Sequence, residues 1–426
     1  MAKLKVLVSG AGIAGGALAF WLVKLGHDVT VVEKHPGLRA TGLQIDLRGH
    51  GIQVLKLMGL EDDFRARMAP EQGMQVVNSA GKPQAYFPAN NTGEGPQNFT
   101  TDYEIMRGDL CRLFYDNTKH SAKYIFGASI ESFEEKDDGI EVRLSDGTTD
   151  RFDLVVGADG QGSRTRRLML GSDRTERLHL FPLPNFYAGY FTTPRPMKEG
   201  EEFNATGYTA TGRRAIMMRR HSPDEVQIYL IVRRESPRLD KTARGDVKEE
   251  KDAFAEIFRG AGWEADNIVK AMYEADDFYL ERMVLVRLDA WSEGRVVLLG
   301  DAAYCPTATT GMGTTAALVG AFVLAGEISK QFNADSEVNG SNKEALASAL
   351  KAYDQTFRPF IDQIQEGIVE GANRWGHLLP TSAWGITILN FILWVVATLR
   401  LDLYAQYFTK EKVKWDVPDY PDMVRK

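Results

Sequence analysis

Lys5-Val6-Leu7-Val8-Ser9-Gly10-Ala11-Gly12-Ile13-Ala14-Gly15-Gly16 is the stretch whose reading decides the fold. Val6, Leu7 and Val8 read as an interior parallel strand. Residues 17–25, rich in alanine and leucine, predict a helix that Gly26 and His27 end, and residues 28–32 predict a second strand. The glycines have separate jobs. Gly10 permits the tight turn, Gly12 lets the backbone approach a pyrophosphate, and Gly15 lets the helix pack closely on the strand. Glu33 closes the second strand, where a carboxylate can accept hydrogen bonds from ribose hydroxyls, although a strand-end acid is also an ordinary solvated residue. Strand, turn, helix and acid together indicate a dinucleotide. They do not choose between NAD and FAD.

Two later stretches have a similar form. Residues 152–156 (FDLVV) read as a buried strand entering Gly157-Ala158-Asp159-Gly160, followed by Gln161, Gly162, Ser163 and Arg166. Residues 295–299 (RVVLL) read as another, entering Gly300-Asp301-Ala302-Ala303 and a glycine-containing loop. A strand–turn–Asp–Gly sequence alone is often plain turn chemistry. In this order, the three motifs resemble the class A flavin monooxygenases, the para-hydroxybenzoate-hydroxylase-like aromatic hydroxylases. The resemblance implies FAD. It makes Asp159 part of the second fingerprint, Asp301 a partner of the ribityl chain, and residues 306–313, with Gly311 and Gly313, a loop along the isoalloxazine ring. The helix beginning near Thr314 would aim its N-terminus at the flavin's pyrimidine edge, where a helix dipole stabilises the negative charge of the reduced ring.

Residues 39–46 (RATGLQID) are similar to a segment of tetracycline-inactivating flavin monooxygenases. That likeness implies Arg39 near the nicotinamide coenzyme and Asp46 at the flavin, with Arg107 touching FAD at a helix start. On the bland reading Arg39 is a surface arginine and Arg107 merely opens a helix. With Ala14 and Lys34 added beside the first motif, the expected cofactor set is Gly10, Gly12, Ala14, Gly15, Glu33, Lys34, Arg39, Asp46, Arg107, Asp159, Asp301, Gly311, Gly313 and Thr314. The chain departs from the family pattern at Tyr304, Thr307, Ala308 and Thr315, where His, two prolines and Asn are common.

A chain of 426 residues exceeds what one hydrophobic core usually serves. The expected fold is α/β. A Rossmann-like FAD-binding domain with a parallel sheet takes 1–73, 101–171 and 281–335. A smaller substrate domain with an antiparallel sheet takes 74–100 and 172–280, residues 90–97 forming a loop. After a polar break at 333–343, a C-terminal helical region takes 343–426, with Pro359 inside its first helix. The 51 basic and 58 acidic residues, with no long basic run, argue against nucleic acid. Two cysteines, Cys111 and Cys305, support neither a disulfide framework nor a zinc site. The N-terminus shows no signal-peptide pattern, so a cytoplasmic protein is expected and the sequons at Asn98 and Asn204 carry no weight. The apolar run 386–399 is too short to span a bilayer, leaving a buried plug as the favoured reading and membrane-surface attachment as the other.

Alternating aromatic and β-branched residues over 180–235 predict a sheet that floors a substrate pocket. Tyr187, Tyr190, Phe191, Met218 and Ile228 are candidate lining, with Arg213 or Arg214 to hold a phenolate or carboxylate; Tyr187 and Arg213 are the named substrate contacts. No catalytic acid or base and no metal ligand is assigned. The resemblance implies a monooxygenase consuming NADPH or NADH and O2, and oxygenating an aromatic or polycyclic small molecule through a flavin C4a-hydroperoxide; a monomer is expected, with the oligomeric state left open by the sequence. The alternatives are another flavin oxidoreductase on this scaffold, such as an epoxidase or dehydrogenase, or a membrane-attached flavoprotein. A halogenase is disfavoured by the lack of a W-x-W-x-I run.

Overall fold

The structure is a computed structural model; it describes residues 3–39, 42–89, 103–171, 180–332, 342–369, 371, 380–401 and 413–424. Residues 90–97 and most of the polar break after 332 lie outside that range. Lys5–Ser9 is central in a six-stranded sheet ordered Ser292–Glu293, Val296–Leu298, Leu154–Gly157, Lys5–Ser9, Asp28–Glu33, Lys123–Phe126. All pairs are parallel except that of the short Ser292–Glu293 edge. The central strands are continuous apolar runs because helices cover both faces of a parallel sheet. The Gly313–Phe332 helix is buried on nearly every side. Gly320 lies in its middle, where a Cβ would come within 2.0 Å of the Tyr304 hydroxyl. A three-stranded antiparallel sheet, Thr149–Phe152, Gly139–Leu144 and Ile130–Lys136, is appended to this lobe.

The second lobe is a seven-stranded sheet ordered Tyr279–Val286, Leu180–Pro194, Glu225–Val232, Arg214–Arg220, Asn204–Ala210, Gly73–Val77, Pro83–Pro88. It is antiparallel except where Asn204–Ala210 meets Gly73–Val77. Tyr279–Val286 hydrogen-bonds to Leu180–Pro194 inside this sheet, so a lobe boundary at 280/281 falls within a strand. One face buries Phe191, Ile228 and Leu230 against Phe254, Phe258 and Met272 of the helices Val247–Phe258 and Ala265–Glu274. The opposite face gathers Ala188, Tyr190, Tyr229 and Met283 and looks toward the parallel-sheet lobe.

A buried polar network ties the lobes together. Arg219 donates from Nε to Glu71 at 2.8 Å and from Nη2 to Glu71 at 2.9 Å, and also reaches Glu104. Gln44 donates its side-chain amide to Glu71 and Glu104, and its backbone N–H to Gln227 at 2.9 Å. Gln227 in turn donates to the Gly42 carbonyl at 2.9 Å. Arg219 and Gln227 belong to the seven-stranded sheet, whereas Gln44 and Glu104 belong to the two-stranded Gln44–Asp46/Glu104–Met106 ribbon.

The 386–399 segment is not a plug. It forms the helix Ala383–Thr398, capped by Ser382, lying on the outer Pro83–Pro88 strand. Leu393, Val396 and Ala397 pack on Val76, Ala85 and Phe87, while Trp384 is 79% and Phe391 62% exposed. Its residues are apolar nearly all round, and the Gly73–Val77 and Pro83–Pro88 strands cover only one stripe of it. Among the described residues no helix is long and apolar enough to cross a membrane. Pro359 sits inside the helix Asn342–Gln365, which continues through it.

Replacing Arg219 with Met removes the cation shared by two buried carboxylates. Breaking such a group from one side typically costs about 3–5 kcal/mol. Urea unfolding of Arg219→Met should show a loss of that order, whereas Arg143→Met, at an exposed pair, should change stability by less than about 1 kcal/mol.

Candidate functional site

Two cavities lie where the lobes and motifs meet. The first, about 450 Å³, opens at the carboxyl ends of the central parallel strands and is lined by Gly10, Gly12, Glu33, Arg107 and Asp159, the position at which open α/β sheets bind ligands. Glu33 accepts from the Ala11 N–H at 2.9 Å with Oε2 and from the His35 N–H at 3.0 Å with Oε1, which holds the carboxylate against the turn. Lys34 and Arg39 complete that side of the wall. Asp159 accepts from the N–H groups of Arg164 and Thr165, both at 2.9 Å, and so caps the Arg164–Leu170 helix as well as facing the cavity.

The motif glycines differ in what demands them. Gly10 has φ +110°, and a Cβ there would come 2.5 Å from the Ala158 carbonyl oxygen. A Cβ on Gly15 would lie 1.9 Å from the Gly10 carbonyl oxygen. Both are required by the fold itself. At Gly12, φ is an ordinary −75° and a Cβ would meet only the Arg107 Nη2, at 3.5 Å. Nothing in the packing excludes a side chain at Gly12; its bareness keeps the cavity floor open beside a helix N-terminus that no side chain caps. Arg107 Nη1, at the same wall, is buried with no acceptor among the described residues. An anionic dinucleotide suits this cradle: it supplies the missing acceptor and meets the helix dipole. Ala14 and Gly15 do not line the cavity. Ala14 packs at Gly300, where a Cβ would come within 2.8 Å of the Ala14 methyl.

The second cavity, about 390 Å³, has the Tyr190 face of the seven-stranded sheet as its floor and Asp46, Asp301, Gly311, Gly313 and Thr314 on the other side. Asp301 is packed among protein atoms except where it opens onto the cavity, and burial pushes its carboxyl up, partly offset by the Cys305 thiol and the charges of Arg107 and Arg166. Gly311 adopts φ +64° at the end of the 306–311 loop. The N-terminus of the Gly313–Phe332 helix opens here through Gly313 and Thr314. Thr315 fixes that end: its Oγ1 accepts from the Arg48 N–H at 3.0 Å and donates to the Arg48 carbonyl at 3.2 Å. Tyr304, in place of the family's His, is buried in the core, with the Tyr353 hydroxyl donating to its own at 3.1 Å.

The expected substrate contacts sit elsewhere. Tyr187 faces the helices, its hydroxyl donating to Asp240, and burial with that hydrogen bond pushes the phenol well up. Phe191, Met218 and Ile228 belong to the same side. Of the expected lining residues Tyr190 does face the cavity, together with Phe186, Ala188, Met217, Tyr229 and Met283. Arg213 is at the hairpin tip with φ +56° and does not line the cavity; Arg214 is clamped onto the Thr211 and Ile257 carbonyls at 2.8 and 2.7 Å. Sequence reading missed Glu281, the acid on the floor. An alternating count along Tyr279–Val286 sets Tyr279, Glu281 and Met283 on one face, the signal that could have found it.

The model of the FAD binding domain family matches residues 3–366, and the chain belongs to that family. The FAD-dependent monooxygenase asL4 of Sarocladium schorii is 46% identical over 100% of both chains. The flavin-dependent monooxygenase eupH of a Phoma species is 40% identical over 99% of this chain and 98% of its own. Among solved structures, tetracycline destructase Tet(55) superposes with a TM-score of 0.77 at 28% identity, covering 98% of this chain and 99% of its own. Klebsiella pneumoniae HpxO, solved with FAD and uric acid, shares the fold at 20% identity and a TM-score of 0.68, covering 95% and 96%. The protein is an FAD-dependent monooxygenase of the class A type.

The glycine analysis separates two substitutions. Gly12→Val should leave the unfolding free energy within about 1 kcal/mol of the parent but lower the FAD retained through gel filtration at least tenfold. Gly15→Val should yield little folded protein, since its methyls have only the Gly10 carbonyl to enter.

Proposed function

We propose that FAD lies extended, with its adenosine and diphosphate in the first cavity and its ring over the second. On this reading, NADPH or NADH reduces it and one atom of O2 passes to an aromatic or polycyclic substrate. The observation that carries the proposal is the second cavity: an apolar and aromatic floor facing a helix N-terminus and a glycine loop. Bound FAD would supply hydride acceptance and oxygen transfer. Every other task falls to the chain. Glu33 would accept the ribose hydroxyls; Gly10 and Gly12, the Ile13–Lys24 helix N-terminus and Arg107 would hold the diphosphate. Asp46 and Asp301 would fix the ribityl side of the ring. Gly311, Gly313 and Thr314 would bring backbone N–H groups and the positive end of a helix to its pyrimidine edge, favouring the reduced, anionic form.

Phe186, Tyr190, Tyr229 and Met217 would exclude water and hold the face of a flat, partly apolar ligand. The similarity to a tetracycline destructase supports a polycyclic substrate, because tetracyclines are fused-ring phenols and enols. A third cavity, about 330 Å³, is lined by Arg39, Arg107 and Arg244 beside Tyr279. It supports a transient site for the nicotinamide coenzyme, with Arg39, whose guanidinium lies 5.7 Å from the Tyr279 ring centroid, as the contact.

Anaerobic addition of NADPH should bleach the flavin band of the purified holoprotein, and a ligand from a phenol and polyketide mixture should accelerate the bleaching. Measured with saturating FAD, Arg39→Ala should slow reduction about tenfold or more through a raised coenzyme KM. A holoprotein that neither NADPH nor NADH reduces would refute this reading.

A further inference from the structure

The helix Ala383–Thr398 turns its sides the opposite way to a helix in water. Asn390, the amide in its middle, is buried at 8% exposure, while Trp384, Ile388, Phe391, Ile392 and Leu399 are exposed. At i, i+4, i+7, i+8 and i+15, those five form one outward stripe about 22 Å long. Trp394 flanks it, its ring stacked on Phe391 with centroids 5.8 Å apart. The helix is seated on the ligand face of the seven-stranded sheet. Val76 lies beside Gly207, Gly207 beside Met217, and Met217 beside Tyr229. One cross-strand row therefore runs from the floor of the second cavity to the helix.

Both ends of the stripe are basic. At its start, the Gly212 N–H donates to the Thr381 carbonyl at 3.2 Å, which fixes the Arg213 hairpin tip beside the first turn of the helix. The Arg233 N–H donates to the Arg213 carbonyl at 2.9 Å, and its guanidinium leans over the Phe186 ring at 4.2 Å. A Cβ on Gly212 would come 3.4 Å from Arg234 Nη1. Glu235 is the acid that adjoins these arginines in sequence. Their charges oppose one another: burial and then the field of Arg213 lower the Arg233 guanidinium, and burial and then that of Arg234 lower Arg214. At the far end Arg400 is exposed. Residues 400–414 hold Arg400, Lys410, Lys412 and Lys414 against Asp402 and Glu411, and residues 380–399 carry no charge. A chain with a net charge of −7 gathers cations at the two ends of its exposed apolar stripe.

We propose that this stripe docks on an anionic lipid surface, the helix lying in the plane of the interface with the cations at its ends among the headgroup phosphates. Aromatic rings beside aliphatic side chains suit the boundary between headgroups and acyl chains. Cations near an anionic leaflet draw the protein to it, although its overall charge is negative. The same charges argue against a second copy as the cover. Two such helices face to face, in either direction, would set basic ends on basic ends. The docking is peripheral: the inner side stays on Val76, Ala85 and Phe87, and only the outer stripe enters the interface. Because the helix shares the face of the second cavity, that face is turned toward the bilayer. Docking makes no use of the flavin and stands apart from the monooxygenase reading.

The test floats the FAD-loaded full chain with vesicles of phosphatidylcholine alone, and of phosphatidylcholine and phosphatidylserine in equal parts. The parent should bind the mixed vesicles about tenfold or more tighter than the neutral ones, and lose that preference as salt rises. Mixed vesicles with brominated acyl chains should quench its tryptophan emission through Trp384 and Trp394. The double variant Trp384→Gln/Phe391→Gln alters only outward side chains. It should bind about tenfold or more weakly, with reduced quenching and with FAD content and circular dichroism unchanged. Arg234→Gln/Arg400→Gln should lose most of the preference for phosphatidylserine and keep the weaker binding to neutral vesicles. A parent that floats with neither vesicle, that binds both equally, or that is matched by Trp384→Gln/Phe391→Gln would overturn the proposal. So would a parent that sediments as a dimer and becomes a monomer in that variant, which would assign the stripe to a second copy.

Discussion

Arg219, held between Glu71 and Glu104, sets the spacing on which the rest of the molecule depends. Its strand also carries Met217 on the cavity floor, and the strand of its partner Gln227 carries Tyr229. On the other side, the ribbon that holds Gln44 and Glu104 also holds Asp46 at the cavity's opposite wall. One network therefore pins floor and wall from the same few residues. Buried charges bring little net stability against an apolar replacement, yet any misplacement leaves them unpaired in a low-dielectric interior. That penalty favours one relative placement of the lobes, and with it one width for the space between them.

Within that frame, absent atoms matter as much as present ones. Gly10 and Gly15 allow strand, turn and helix to touch at distances no side chain would permit, and Gly320 does the same for Tyr304. Gly12 is different, because the protein itself has room for a side chain there. Its bareness, the orphaned Arg107 Nη1 and the uncapped helix end converge on a ligand that brings negative charge. The apolar floor of the second cavity, with a single carboxylate set in it, has the shape and polarity that suit a flat ring.

Much of this was legible in the sequence, for a local reason. Each fingerprint packs its turn, its glycines and its acid into about a dozen residues, so the motif order revealed both the parallel sheet and its ligand-facing ends. The floor was not legible in the same way. Asn185 adopts φ +60° and the strand pairing is irregular between Pro182 and Tyr187, so the inward and outward positions cannot be counted through from the strand's start. Tyr190 was read as facing the ligand and does, but Tyr187 was read beside it where Phe186 stands. Glu281 was hidden because an acid in an alternating strand reads as its solvated face, and the strand's partner lies some ninety residues earlier. The Arg219 network joins four separated segments and has no local pattern at all. The 386–399 run read as a plug because apolarity says that a helix seeks cover, not how much cover the fold provides.

The central claim is that the two facing lobes form a chamber for transferring one atom of molecular oxygen to an organic ring. The most direct measurement supplies isotopically labelled dioxygen to the holoprotein with NADPH and the phenol or polyketide ligand that most accelerates flavin bleaching, and weighs the product. The account predicts a product heavier by one labelled oxygen, with one coenzyme oxidised per product. A product whose added oxygen comes from unlabelled water, or one oxidised without gaining oxygen, would contradict it.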